Sequence, residues 1–259
     1  MARLDPPARY RRFAAVDGNP YGLATRRLTD GQIGCYYSHY LLLQMHLDGA
    51  AHLHVIEDDA LMAKRTVLFL ERVITSGMLD DVDILFTETT VPMSLEFFPD
   101  GRSTYARSIQ RAVDGTATDV RFSHVPYVGC TTSYLVNRRS VRLIRDILAR
   151  ELEHNDDLPP IDMVIRAKVE AGELRAKCLF PFITSIRPEA FTSTITRDDP
   201  KHLSRCAMEL LRHSFFVECD LKATFELAER RLANPDAGVQ ERLHALIAGF
   251  SVSDAFRRF

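Results

Sequence analysis

Three consecutive carboxylates, Glu57-Asp58-Asp59, follow directly on the run Ala51-His52-Leu53-His54-Val55-Ile56 and limit what the chain can build around them. Like charges held side by side on a rigid element repel one another and lose solvation unless a cation joins them. The run before them has the length and residue types of a short strand. The segment after them, 60–78, carries Val67, Leu70, Ile74 and Met78 at helical spacing and predicts a helix. The triplet is therefore expected at the carboxyl end of a strand in an α/β pattern, where open α/β sheets bind their ligands. A hard divalent cation, with the phosphates it brings, is the simplest partner for such a cluster.

The alternation extends in both directions. Residues 10–18 end in Ala14-Ala15-Val16-Asp17-Gly18 and read as a short strand running into a turn. Thr29-Asp30-Gly31-Gln32 reads as a capping box. The helix it opens carries Ile33, Tyr36, Tyr37, Tyr40, Leu41, Gln44 and Leu47 and stops near Gly49. Asp83 to Thr87 is a further buried strand. Residues 88–120, with Pro92, Pro99, Gly101 and Gly115, form a long irregular insertion, a length that compact domains reserve for functional or disordered loops. Strands at 121–128 and 131–136, helices at 140–154 and 161–171, and a strand-like stretch at 176–186 follow. From about Asp198 the pattern is helical alone, at 200–233 and 239–250. The expected architecture is α/β, with an open, mostly parallel twisted sheet flanked by helices over residues 1–197. A helical C-terminal extension covers 198–259.

At 259 residues the chain can bury a sizeable core. A net charge of −2 leaves no electrostatic footprint for nucleic acid. No run approaches the roughly 18 uncharged apolar residues that span a bilayer, and Met1 to Pro7 has no signal core. Five scattered cysteines without a CxxC pair suit reduced thiols and a cytoplasmic location. In the tail, Leu203, Ala207, Leu210 and Leu211, then Phe225, Leu227 and Leu232, make amphipathic faces that pack on their own domain or, in a homodimer, on a second copy. Glu209, Glu218, Asp220, Glu226 and Glu229 argue against attraction to anionic lipid.

Several side chains are candidates for chemistry on their own terms. Strand alternation puts Glu57 and Asp59 on one face, making Asp59 a direct metal ligand and Glu57 its helper; acids favoured by a helix N-terminus are the plainer reading. His52 and His54 share one strand face and, with Glu57, resemble the His/His/carboxylate set of a metal-dependent hydrolase or oxygenase. Gly34 and Ser38 share one helix face with His39 adjacent. A glycine in that first turn admits a second backbone or a phosphate, and a satisfied buried His39 is the structural alternative. Asp17-Gly18 has the composition of a turn.

Taken together, Ala15-Val16-Asp17-Gly18, the block Leu28-Thr29-Asp30-Gly31-Gln32-Ile33-Gly34-Cys35-Tyr36-Tyr37-Ser38-His39, and Val55-Ile56-Glu57-Asp58-Asp59-Ala60 resemble glycosyltransferase family 25. This family includes lipooligosaccharide and collagen-type galactosyltransferases. Ser133 to Arg138 and Pro160-Ile161-Asp162 fit two later blocks, and Gln32 stands where Glu is usual. The resemblance covers 10–197 and implies a GT-A-like nucleotide-sugar transferase of lipopolysaccharide biosynthesis. It implies transfer of a hexose, galactose first, from a UDP-sugar to an acceptor hydroxyl with inversion. Mn²⁺ or Mg²⁺ would sit on Asp59 and Glu57, and Asp17, Gly18, Gly34, Ser38, His39, Glu57 and Asp58 would border the donor. An inverting transferase needs a carboxylate to take the acceptor proton; Asp162 is that candidate and Glu88 the reserve. The family's usual first strand and basic helix are not found ahead of Val16, which makes a catalytically silent binding or assembly module the alternative.

Overall fold

The computed structural model describes residues 10–18, 28–91, 120–154, 157–187 and 202–220, with scattered positions from 222 to 246. The 92–119 part of the long insertion, and most of the tail beyond 220, lie outside the described residues.

Helix α1 spans Asp30–Met45 and starts as its local sequence dictates. The Thr29 hydroxyl accepts from the Gln32 amide N–H at 3.3 Å, and the Gln32 side chain accepts from the Thr29 N–H at 2.9 Å. The capping box thus satisfies two otherwise orphan donors. Strand β1 follows at Leu53–Ile56, and then the chain departs from the expected 60–78 helix. Ala60–Met62 is a strand, β2, and helix α2 begins only at Thr66 and ends at Thr75. The reason is tertiary: β2 pairs antiparallel with β7 (Thr184–Ile186), a partner more than a hundred residues away.

Strand β3 (Ile84–Phe86), β4 (Ser123–Pro126) and β5 (Ser133–Val136) come next. Helices α3 (Val141–His154) and α4 (Ile161–Glu170) lead to β6 (Ala176–Phe180). Gly172, at φ 75°, ends the α4 turn in the left-handed region that glycine tolerates. The apolar 176–186 stretch divides into β6 and β7 at Pro181, which has no N–H to give to a ladder. Helix α5 covers His202–Ser214.

The main sheet has the order β1-β5-β3-β6-β4. Only the β3–β6 pairing is parallel; β1–β5, β3–β5 and β4–β6 are antiparallel. The expected mostly parallel sheet is thus corrected to a mixed one. The β1–α2–β3 crossover does leave β1 and β3 running the same way. Strand β5 returns between them in the opposite direction, a non-local insertion that alternation along the chain does not reveal. The 10–18 segment is extended but joins no ladder, because the Val16 N–H goes to the Ser38 hydroxyl at 2.9 Å instead of to a strand.

Period-2 alternation separates two cores. Ile84, Phe86, Tyr134 and Val136 face α1, α3 and α4, through Ile33, Tyr36, Leu43, Ile147, Leu148, Ile161 and Val164. Leu85, Leu135 and Leu179 face α2, through Phe69, Leu70 and Val73. Helix α5, placed after the division at 197, joins this body: Leu211 and the following Phe215 enter the first core, Phe216 and Val217 the second. The Phe182 N–H donates to the Phe215 carbonyl at 3.1 Å and the Val217 N–H to the Phe182 carbonyl at 2.9 Å. Among the described residues no helix is long and apolar enough to cross a membrane.

Candidate functional site

The acidic triplet sits where β1 stops. The Glu57 N–H continues the β1–β5 ladder, donating to the Thr132 carbonyl at 2.8 Å, and the Ala60 N–H closes a turn onto the Glu57 carbonyl at 3.2 Å. The three acids therefore occupy a turn between β1 and β2, and the strand alternation invoked for Glu57 and Asp59 does not extend through them. Their surroundings differ sharply. Glu57 Oε1 accepts from Thr131 Oγ1 at 3.0 Å and lies 3.2 Å from His39 Nε2. His39 Nδ1 lies 2.7 Å from the Tyr134 hydroxyl. Burial alone would raise the Glu57 carboxyl, but the His39 contact, the Thr131 hydrogen bond and the charge of Arg212 outweigh it and hold it below its usual value. Burial likewise opposes charging His39, yet Tyr134, Cys35 and Glu57 together lift the imidazole well above its ordinary value. His39 and Glu57 are thus a half-buried ion pair, the imidazole 5% exposed and the carboxyl 31%.

Asp59 has no such support. Its Oδ1 is buried without a hydrogen-bond partner. Burial, then the charges of Glu57 and Asp58, push its carboxyl up to about 6, against the pull of Arg212. Asp58 is exposed on the same turn. An oxygen stripped of water, unpaired and flanked by acids suits a divalent cation, a hard ion that takes carboxylate oxygen. The residues present fit such an ion.

Beyond the triplet lies a second acid with an arginine of its own. Glu88, two residues past β3, is 1% exposed, and neither of its oxygens makes a hydrogen bond. Burial pushes it up to about 7; Arg212 pulls it down, while Glu209, Glu57 and Asp59 push it further up. Arg212 of α5 brings Nε within 3.3 Å of Glu88 Oε2, an ion pair without hydrogen-bond alignment. Its Nη2 lies 2.5 Å from Glu209 Oε2, and its Nη1 donates to Cys130 Sγ at 2.8 Å. Cys130 holds φ 86°, which a non-glycine residue adopts only when its surroundings over-determine it. Burial pushes its thiol up to about 12, so the sulfur is protonated. The Cys130 N–H points at Asp162 Oδ2, at 3.4 Å, and the Met163 N–H donates to Asp162 Oδ1 at 2.9 Å. Gly129 lies beside both: a Cβ there would stand 3.5 Å from Asp162 Oδ2 and 3.6 Å from Thr90 Oγ1.

The structure thus gathers Glu57, Asp59 and Glu88 within the field of Arg212, and ties Glu57 and Asp162 to the turn at 129–132. Asp17, Gly18, Gly34 and Ser38 form a separate crossing. A Cβ on Gly34 would collide with the Val16 carbonyl oxygen, and one on Gly18 with that of Asp30. The Ser38 hydroxyl accepts from the Val16 N–H and donates to the Gly34 carbonyl at 2.7 Å. The close approach that Gly34 permits is made by backbone, the first of the two partners that a glycine in that turn admits.

The His52, His54 and Glu57 set is corrected. Alternation sends His52 and His54 to one face of β1 and Glu57 past its end. Both His54 nitrogens are engaged, Nδ1 by Tyr10 at 2.6 Å and Nε2 by Ser133 at 2.9 Å. His52 Nδ1 accepts from the Arg138 N–H at 3.2 Å. Among the described residues, the His, Cys and acid side chains that do cluster at metal-ligand spacing are Cys35, His39 and Glu57. Sequence reasoning missed Thr131, Tyr134, Cys130 and Arg212. For Arg212 the available signal was an arginine set in the run Leu210 to Val217, apolar apart from Arg212, His213 and Ser214.

The chain is a glycosyltransferase, which takes a sugar donor and an acceptor. It belongs to glycosyltransferase family 25 (LPS biosynthesis protein), whose model matches residues 18–159. That span contains the α1 block, the triplet, Glu88 and the Cys130 turn; Asp17, Asp162 and Arg212 fall outside it. No curated protein matches the chain.

Proposed function

We propose that this chain moves a hexose, galactose in the first instance, from a UDP-sugar onto an acceptor hydroxyl with inversion, using Mn²⁺ or Mg²⁺ held by Asp59. The observation that carries this reading is the buried, unpartnered Asp59 Oδ1 among like charges. A divalent cation there neutralises the diphosphate of the leaving group. Glu57 supports that oxygen from a fixed position, since His39 and Thr131 hold its carboxylate in one orientation. Exposed Asp58 and the Asp17-Gly18 segment border the donor, and Gly34 and Ser38 fix that segment by the backbone crossing they permit. On this reading the domain is GT-A-like in role, and residues 198–259 are its helical extension.

Inversion is a single displacement: the acceptor oxygen bonds to the anomeric carbon as the bond to UDP breaks, and the acceptor proton leaves to a base. Asp162 is the base. It is half-buried, so an acceptor can reach it, and both of its oxygens already meet backbone N–H groups. Glu88 has a proton affinity suited to neutral pH but is closed off from solvent, and serves the site by facing the Arg212 guanidinium.

Calorimetric titration of UDP with and without Mn²⁺ tests this. The wild-type chain should bind UDP in a Mn²⁺-dependent manner. Asp59→Asn should abolish that dependence, while His52→Ala with His54→Ala should keep it. Mn²⁺-dependent UDP binding that survives in Asp59→Asn would remove Asp59 as the ligand. A wild-type chain that binds no nucleotide sugar across UDP, GDP and CMP donors would turn the reading to the silent binding module.

A further inference from the structure

Arg212 is 3% exposed and comes from α5, well past the residues the family model matches. A buried guanidinium is expensive unless every face of it is met by charge or hydrogen bonds. Here each of its three nitrogens has a separate partner: Glu88 at 3.3 Å, Glu209 at 2.5 Å and the Cys130 sulfur at 2.8 Å. Two acids would satisfy the charge. The third contact is different in kind, because Cys130 is the residue whose backbone stands at φ 86° and whose N–H is aimed at Asp162 Oδ2. A planar, five-donor fork can hold a turn and an acid at once, which a lysine ammonium cannot reproduce.

We propose that Arg212 is a positioning residue of the transfer site: by gripping the Cys130 side chain from α5 it fixes the strained 129–131 turn, and so the N–H that orients Asp162 for proton transfer. The inference rests on Asp162 being the base. It makes α5 part of the working site, joining that helix to the carboxylate that meets the acceptor. Glu88 faces the same guanidinium through its Nε, at 3.3 Å. A misplacement of about 1 Å in a reacting group can cost on the order of 100-fold in rate, so the grip bears on turnover more than on donor affinity.

The test is Mn²⁺-dependent hydrolysis of UDP-galactose by the full chain, with water as the acceptor, read as kcat beside the UDP Kd. Arg212→Lys should keep the wild-type Kd for UDP and lower kcat by about 10- to 100-fold. Asp162→Asn should lower kcat by about 100-fold or more. The double variant should be no slower than Asp162→Asn alone, because a residue that acts through Asp162 has nothing left to act on. Cys130→Ala leaves both of the arginine's acid pairs in place and should show the same pattern with a smaller fall. It decides the matter where Arg212→Lys does not fold. Rate losses that multiply in the double variant, or an unchanged kcat in both Arg212→Lys and Cys130→Ala, would overturn the positioning role while leaving the base assignment standing. An Asp162→Asn variant that turns over at the wild-type rate would overturn the base assignment, and this inference with it.

Discussion

Glu57 and Asp59 stand two residues apart on one turn, yet one is held below its usual proton affinity and the other well above it. The difference lies in partners. Glu57 has an imidazolium and a hydroxyl; Asp59 has a buried bare oxygen and two acidic neighbours. An acid whose folded-state value lies above its unfolded value costs stability as pH rises through that interval. For Asp59 the interval runs from 3.8 to about 6. In the absence of divalent metal, Asp59→Asn should therefore be more stable than wild type at pH 8, by on the order of 2 kcal/mol after solvent screening. The gain should shrink to a few tenths of a kcal/mol at pH 4, near the foot of that interval, where the folded carboxyl is protonated. Urea unfolding at the two pH values in EDTA measures it, and equal midpoints at pH 8 would mean that Asp59 carries no uncompensated charge. That the triplet carries an uncompensated charge could be read from three adjacent acids, since repulsion is a property of sequence neighbours. Which acid was satisfied could not, because His39, Thr131 and Arg212 reach the turn from other elements.

Local signals decided elements; distant partners decided their arrangement. The α1 start was legible because Thr29 and Gln32 are three residues apart and complete each other. The helix expected at 60–78 is present only from Thr66 to Thr75, because Ala60 to Met62 takes its conformation from β7, and sheet order was not legible because β5 inserts between β1 and β3. Strand β1 shows how such pairing changes a side chain's chemistry. Register sets His54 opposite Leu135 and brings its ring between Tyr10 and Ser133, where burial pushes it down to about 4. A histidine depressed in the folded state contributes its full stability above its unfolded value of 6.5 and loses it as pH falls toward 4. The wild-type chain should lose up to about 3 kcal/mol from this group across that window. His54→Gln, which cannot take the proton, should flatten that part of the pH–stability curve. Parallel curves for the two proteins between pH 6.5 and 4 would show that His54 protonates without disturbing the fold.

At the scale of the whole molecule, α5 belongs to the folded body. Composition separates an alternating α/β part from an all-helical tail, and the family model stops at residue 159. Neither boundary coincides with the core. Leu211 is 0% exposed, Phe215 2% and Phe216 1%, and they enter both hydrophobic clusters, one on each side of the main sheet. Two backbone hydrogen bonds tie the 215–217 segment to Phe182, in the link between β6 and β7. Removing the helix would uncover both cores and take from Glu88 the guanidinium that faces it, a loss comparable to the roughly 5–15 kcal/mol by which a whole domain is stable. A chain ended at residue 197 should therefore show no cooperative thermal transition and no native near-ultraviolet circular dichroism. Leu211→Ala in the full chain should fold, with stability lower by roughly 2–5 kcal/mol, the range for a fully buried leucine. A shortened chain that melts cooperatively would make α5 an appendage, and Leu211→Ala would then unfold at the wild-type urea midpoint.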